Sequence, residues 1–289
     1  MSTSAEDSPF RHIRTVIRGG GDLGSGVAYR LHRCGFPVLI VELPHPLLVR
    51  RAVSYGSAVI EGAITVDGVT ARHVRDINEA LAVQADDEIA VLVDPEGNSL
   101  AEYAPAVLVD ARMLKTDPGP QPIRAPLVIG LGPGFVAPRN CDAVIETNRG
   151  HNLGRVIREG AAEPNTGVPG NMLGRTADRV LRAPVDGIVK GLVPIGTRLT
   201  GGQPVAEVNG HTVTAPFEGV LRGLIHDGSR VQAGMKIGDV DPRAKRSYCF
   251  TISEKSLAIG GGVLEAMLSS PAIRRRIREG YGAGAGSGG

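Results

Sequence analysis

The stretch Arg18-Gly19-Gly20-Gly21-Asp22-Leu23-Gly24-Ser25-Gly26 lies between the apolar run 13–17 and a helix-like segment ending at Gly35, and it restricts the fold more than any other part of the chain. Gly19, Gly21 and Gly24 fit G-x-G-x-x-G. In a strand-to-helix turn the first glycine allows the tight bend, the second lets phosphates approach the backbone, and the third lets helix and strand pack closely. The helix N-terminus then offers free N–H groups to an anion, which makes Gly19, Gly21, Asp22 and Gly24 candidate cofactor-binding residues. The next run, 36–42, reads as a buried strand ending in an acid about 20 residues past the loop, where a ribose partner belongs. Glu42 is either that partner or a solvated strand end. Because 40 of 289 residues are glycine, the pattern also fits a loop that only packs, or one that holds another phosphate-bearing ligand.

Four further apolar runs continue the same rhythm: 89–94, 106–110, 127–130 and 143–146. Short apolar runs ending in Asp, Gly or Glu are expected of buried parallel strands, whose carboxyl edge holds the ligand in open α/β sheets. Asp94, Asp110 with Arg112 and Lys115, Gly130 to Gly134, and Glu146 to His151 therefore converge on one edge in this reading. Gly132 and Gly134 would expose N–H groups to an anion, or form a ligand-free Gly-Pro-Gly turn. Glu146, Arg149 and His151 suit an acid, a phosphate clamp and a proton carrier, and equally a buried salt bridge. Arg50 and Arg51, which follow Pro44 and Pro46, either reach a phosphate near Glu42 or form a solvated basic turn. The segment 58–69 carries an Asp-Gly turn signal for a small hairpin, and 76–84 has helical spacing.

The second half contains a repeat. Residues 183–208 recur without gaps as 215–240, identical at nine of 26 positions and beginning with Ala-Pro-x-acid-Gly in both copies. Such self-similarity implies two equivalent β units that interlock. The pattern resembles biotinyl and lipoyl carrier domains, which implies a barrel-sandwich hybrid. A carrier needs a lysine in the turn between the halves; that turn falls at 208–211, and no lysine occurs between Lys190 and Lys236. The module is therefore expected to be structural or a docking surface. The connector 161–182, rich in arginine, reads as a linker or a cover over an anionic ligand, with 164–170 at its centre. Residues 248–252 read as a strand, and Gly260 to Gly262 as the glycine-rich opening of a helix.

Composition excludes several classes. A formal net charge of +2, from 32 basic and 30 acidic residues, does not call for nucleic acid or an anionic membrane. The three cysteines have neither disulfide-framework nor zinc-site spacing. The first ten residues are polar and acidic, and no run of 18 apolar residues occurs, so a soluble cytoplasmic protein is expected.

Several stretches together resemble the YqeB-type proteins of the selenium-dependent molybdenum hydroxylase system. They are the glycine-rich loop with Arg50-Arg51, 130–135, 146–155, 164–167, and 252–266. The resemblance implies an accessory or maturation role for molybdenum hydroxylases such as xanthine dehydrogenase-like enzymes, and it carries over no catalytic residues. The implied partners are a client hydroxylase and a small phosphate-bearing ligand, with a homo-oligomer left open. The ligand would be a nucleotide or the molybdenum cofactor. The alternative is a stand-alone NAD(P)-dependent oxidoreductase, with Glu42 on the ribose and His151 or Lys115 as proton carrier.

The expected class is thus α/β. A Rossmann-like parallel-sheet domain (13–160) follows a flexible N-terminus (1–12). After the linker or cover loop (161–182) come the duplicated all-β module (183–245), a C-terminal strand and helix (246–279) and a disordered tail (280–289).

Overall fold

The computed structural model describes residues 8–164, 174–175 and 177–285. The centre of the expected cover loop, 165–173, lies outside them.

The buried run Thr15–Arg18 forms β1 and leads through the glycine loop into α1, Asp22–Arg33. An acid in the first turn of α1 and Arg30, His32 and Arg33 in its last turn both complement the helix dipole. The next strand is β2, Val38–Glu42. The short helix α2 (Ala58–Glu61) precedes the hairpin of β3 (Ala63–Val66) and β4 (Val69–Val74), so the expected hairpin begins one helical turn later than its sequence signal. Helix α3 (Ile77–Ala85) is capped by Asp76, whose carboxylate accepts the Glu79 N–H. After it come β5 (Ile89–Val93), α4 (Leu100–Tyr103), β6 (Val107–Asp110), β7 (Leu127–Leu131), β8 (Val136–Ala137), β9 (Ala143–Ile145), β10 (Val156–Ile157) and β11 (Gly160–Ala161).

Nine strands form one sheet in the order β10-β9-β7-β6-β1-β2-β5-β4-β3, with β8 and β11 pairing separately. Neighbours from β9 across to β4 are parallel, and only β10 and β3 run against them at the edges. The chain leaves β1 for β2 on one side and later returns to β6 on the other. This reversal opens a crevice at the carboxyl edge beside β1.

The remaining strands obey the 32-residue repeat. The first copy supplies β12 (Val180–Arg182), β13 (Gly187–Gly191), β14 (Arg198–Leu199) and β15 (Pro204–Val208). The second supplies β16 (His211–Thr214), β17 (Gly219–Leu224), β18 (Arg230–Val231) and β19 (Lys236–Asp241). They make two antiparallel sheets, β12-β19-β17-β14 and β16-β15-β13-β18, which exchange when the two copies are interchanged. Each copy contributes strands to both sheets, so neither buries its apolar face alone. The module begins at Val180, because β12 pairs with β19; the sequence boundary at 183 misses that strand. Between β15 and β16, Asn209 and Gly210 take φ 47° and 80°, as a two-residue hairpin turn requires.

The C-terminal segment corrects three expectations. Residues 246–249 form a single 3-10 turn and not a strand, because the carbonyls of Tyr248 and Thr251 accept hydrogen bonds from Arg50 and leave no ladder to join. Helix α5 spans Glu254–Ser269, so Gly260 to Gly262 lie in its middle and not at its start. Gly260 and Gly262 serve close packing, while an added Cβ on Gly261 would meet nothing among the described residues within 4 Å. A methyl on Gly260 would sit 2.7 Å from the Gly26 carbonyl oxygen, and one on Gly262 would sit 2.2 Å from that of Gly154. Helix α6 runs Pro271–Ala285 through the first residues of the expected disordered tail. At the other end of the chain Phe10 stacks on Phe36 with ring centroids 4.4 Å apart, so the last residues of the stretch read as flexible are packed.

Helices α1 and α5 cover one face of the large sheet through a core that includes Ile17, Val27, Leu31, Ile40, Val109, Val263 and Met267; α3 and α4 cover the other with Ile77, Ala80 and Leu100. Each such fully buried side chain contributes roughly 1.5–3 kcal/mol. Among the described residues no single helix is long and apolar enough to cross a membrane.

Candidate functional site

At the carboxyl edge of the sheet a cavity of about 580 Å³ opens beside β1. Its polar lining is Arg18, Gly19, Gly21, Asp22, Glu42, Asp94 and Arg112, and its apolar lining includes Leu23, Leu43, Leu47, Leu48 and Met113. The floor comes from the ends of β1, β2, β5 and β6.

The glycines of the loop serve different ends. Gly19 has φ 97°, a left-handed value that suits glycine. A methyl on Gly20 would sit 2.7 Å from the Gly56 nitrogen, one on Gly24 would sit 2.1 Å from the Gly19 oxygen, and one on Gly26 would sit 2.4 Å from the Ser256 Cβ. Each of these three is forced by packing inside the protein. Gly21 is not. Its φ of −71° suits any residue, and the nearest atom to an added methyl is Leu48 Cδ2 at 3.8 Å. Gly21 caps α1 without a side-chain acceptor, and the helical ladder begins at Ser25 N–H to Gly21 O, 2.8 Å. The preceding N–H groups of the first turn have no carbonyl partner within the helix.

The acids around the cavity are held from within. Glu42 Oε1 accepts the Gly20 N–H and Oε2 the Leu43 N–H, each at 2.8 Å. Burial nevertheless raises its pKa above the usual carboxylate range, and these two bonds only partly counter it. Burial also works to raise Asp94, but bonds from the Ser99 hydroxyl and the N–H groups of Ser99, Asn98 and Gly97 prevail and lower it. Asp22 Oδ1 accepts from Arg50 and from the Ser256 hydroxyl, both at 3.0 Å.

The basic groups converge on one buried carboxylate. Arg112 grips Asp110 through Nε at 2.9 Å and Nη2 at 2.5 Å, while Arg18 Nη1 lies 3.8 Å from the same Asp110. Arg18 also donates to the Pro95 carbonyl and to Gln121. Burial, and then the neighbouring Arg112, lower the Arg18 pKa. Two guanidinium groups meet at this one carboxylate, with Asp22, Glu42 and Asp94 on the same lining, and the Arg112 side chain, 32% exposed, is the more accessible of the pair.

Of the sequence candidates, Gly19, Gly21, Asp22 and Glu42 meet in this cavity. Gly24 lies under the loop, and Arg50 is buried behind it, bonded to Asp22, Tyr248 O and Thr251 O. Arg51 belongs to a 3-10 turn outside the lining. Gly132 and Gly134 pack against the segment after β6: a methyl on Gly134 would sit 2.6 Å from the Leu114 oxygen. Glu146 is buried and accepts the N–H groups of Asn148 and Glu163, the salt-bridge-like structural version of its two readings with backbone donors in place of a cation. Arg149 pairs with Glu254, while His151 and Lys115 are exposed; none of the three lines the cavity. Sequence reasoning missed the role of Arg18 and the wall Leu43, Leu47, Leu48 and Met113. Position gave a signal for two of them, since Arg18 ends a buried run and Leu43 follows one; Leu47, Leu48 and Met113 lie further along their loops.

No family model matches the chain. Over 260 residues it is 46% identical to the Escherichia coli (strain K12) protein "Uncharacterized protein YqeB", which supports membership in the YqeB-type family; the match covers 90% of this chain and 48% of the relative. The chain thus spans about half the length of that relative. Among solved structures it is similar to an aspartoacylase family protein from Mesorhizobium loti, with 10% identity, coverage of 80% of this chain and 86% of the other, and a TM-score of 0.27. It is also similar to TcdA (CsdL), with 12% identity, coverage of 90% and 88%, and a TM-score of 0.30. At these TM-scores neither likeness bears on fold or function.

Proposed function

We propose that this protein is a cytoplasmic accessory or maturation factor for molybdenum hydroxylases that binds a nucleotide or phosphate-bearing cofactor at the Gly19–Gly24 loop, while the duplicated module docks the client enzyme. The observation that carries the ligand half is Gly21, the one glycine of the loop that no contact among the described residues requires, placed at a helix N-terminus on the lining of an open cavity that Arg112 also lines. The strand order supports a Rossmann-like reading of the large sheet, with the site at its reversal point. The exchange symmetry of the two four-stranded sheets supports a barrel-sandwich-hybrid reading of the module. Without a lysine in the 209–210 turn, that module suits docking better than carrying.

The accessory half rests on the resemblance to YqeB-type proteins and on the 46% identity to one of them. In a strain lacking this protein, its client hydroxylase is expected to accumulate with depressed cofactor occupancy, measured by metal analysis of the purified enzyme, and to be recovered with the tagged protein in wild-type extract. Full cofactor loading in the deletion strain would overturn the role. The alternative, an NAD(P)-dependent oxidoreductase, is favoured by Glu42 at the end of β2 lining the cavity; it predicts nicotinamide turnover by the purified protein.

A further inference from the structure

We infer that the cavity takes a single nucleotide, meaning one flat heterocycle with its sugar and a phosphate or diphosphate, and not a dinucleotide. The inference rests on the reading of the glycine loop as a phosphate site. Where a sheet reverses its strand order, a dinucleotide straddles the reversal, with one half above the strands on each side. The half above β2 and β5 is present here: Glu42, Asp94 and Pro95 line it, and the half-exposed Leu43 and Leu47 form its rim.

The other half is walled off. After β6 the chain turns at Met113, whose φ is 59°, and Met113 and Leu114 are the last of the described residues, in chain order, in the lining. No residue of β7 or β9 contributes to it. The wall is held in place by the turn after β7. A methyl on Gly132 would sit 3.0 Å from Thr147 Oγ1 and 3.2 Å from Met113 Cε, and one on Gly134 would sit 2.6 Å from the Leu114 oxygen and 2.7 Å from that of Thr116. Only glycine lets the two segments approach so closely. The Gly130–Gly134 stretch, which in sequence reads as a second anion turn, is thus the seat of the wall that ends the cavity.

The lining also specifies the chemistry of what fits. Leu23, Leu43, Leu47, Leu48 and Met113 offer apolar surface for the face of an uncharged ring. Glu42 is a hydrogen-bond acceptor for sugar hydroxyls, with both oxygens already fixed by the Gly20 and Leu43 N–H groups. The start of α1, through Gly21 and Asp22, and Arg112 lie on the same lining, where a phosphate group would be held.

Calorimetric titration of the full chain with ADP and, separately, with NAD+ tests this. ADP contains the half that the cavity accommodates, and NAD+ adds the half that it does not. The expected result is ADP binding at least ~10-fold tighter than NAD+, a difference of about 1.4 kcal/mol, with the gap narrowed in Met113→Gly, which removes the side chain at the wall and keeps a residue suited to the turn. NAD+ binding as tight as ADP or tighter, and lost in Gly21→Val, would overturn the single-nucleotide inference and leave the loop as a phosphate site. Binding of neither would overturn both.

Discussion

Gly24→Val is expected to destabilise the protein by about 4 kcal/mol or more, beyond the usual range for overpacking because the obstacle is backbone. The Cβ alone would stand 2.1 Å from the Gly19 carbonyl oxygen and 3.2 Å from the Ala111 Cβ. Relief requires α1 to move off β1, and α1 cannot move freely. Gly26 lies against Ser256 and Gly260 against the Gly26 carbonyl oxygen, so a displaced α1 drags α5 with it. For a chain of this size the melting temperature should fall by about 6 °C or more, readable by thermal circular dichroism. A melt within about 2 °C of wild type would show that the loop does not hold helix and strand at the distance described.

Asp110→Asn is the second large effect, and it has two signs. Asp110 is fully buried and is the carboxylate shared by Arg18 and Arg112. Its neutral replacement removes the nearest counter-charge of the buried Arg18, leaving Asp94 and Glu96 further off, so the cost should fall toward the lower end of the roughly 3–5 kcal/mol seen when one member of a buried pair is removed. The same change raises the positive potential beside the glycine loop. Stability in a urea titration should therefore drop while affinity for a phosphate-bearing ligand rises severalfold, with the rise diminishing as salt screens it. Unchanged stability would refute the shared-carboxylate account, and weakened ligand affinity would refute the placement of the site.

Much of the sheet was legible because each buried strand is a compact apolar run closed by a polar residue, as in 38–42, 89–93 and 107–110. The repeat was legible because both copies keep one spacing. The C-terminal helix was misplaced by its glycines, since Gly260 and Gly262 look like an opening loop until Gly26 and Gly154 are seen against them. That relation spans more than a hundred residues of sequence and leaves no local trace.

The candidate site was legible in part for the same reason. Gly19, Gly21, Asp22 and Glu42 lie within one strand-helix-strand unit, so their convergence follows from local order alone. Glu146 and His151 end or follow a strand of the same sheet but stand two strands further from β1, and the wall at Met113 and Leu114 closes the cavity before it reaches them. The sequence leaves Arg50 either facing a phosphate or in a solvated basic turn, and the buried side chain does neither, facing Asp22 instead. Its destination depends on the carbonyls of Tyr248 and Thr251 at the far end of the chain.

The central claim is that Gly21 is glycine for the sake of a ligand. Mass spectrometry of the small molecules retained by gently purified protein, run in parallel on wild type and Gly21→Val, tests it most directly. Because only Leu48 Cδ2 at 3.8 Å stands near an added Cβ, the variant should melt within about 2 °C of wild type. The predicted result is a phosphate-bearing heterocycle in the wild-type preparation and its loss from the equally stable variant. The same molecule retained by both at equal occupancy would contradict the account.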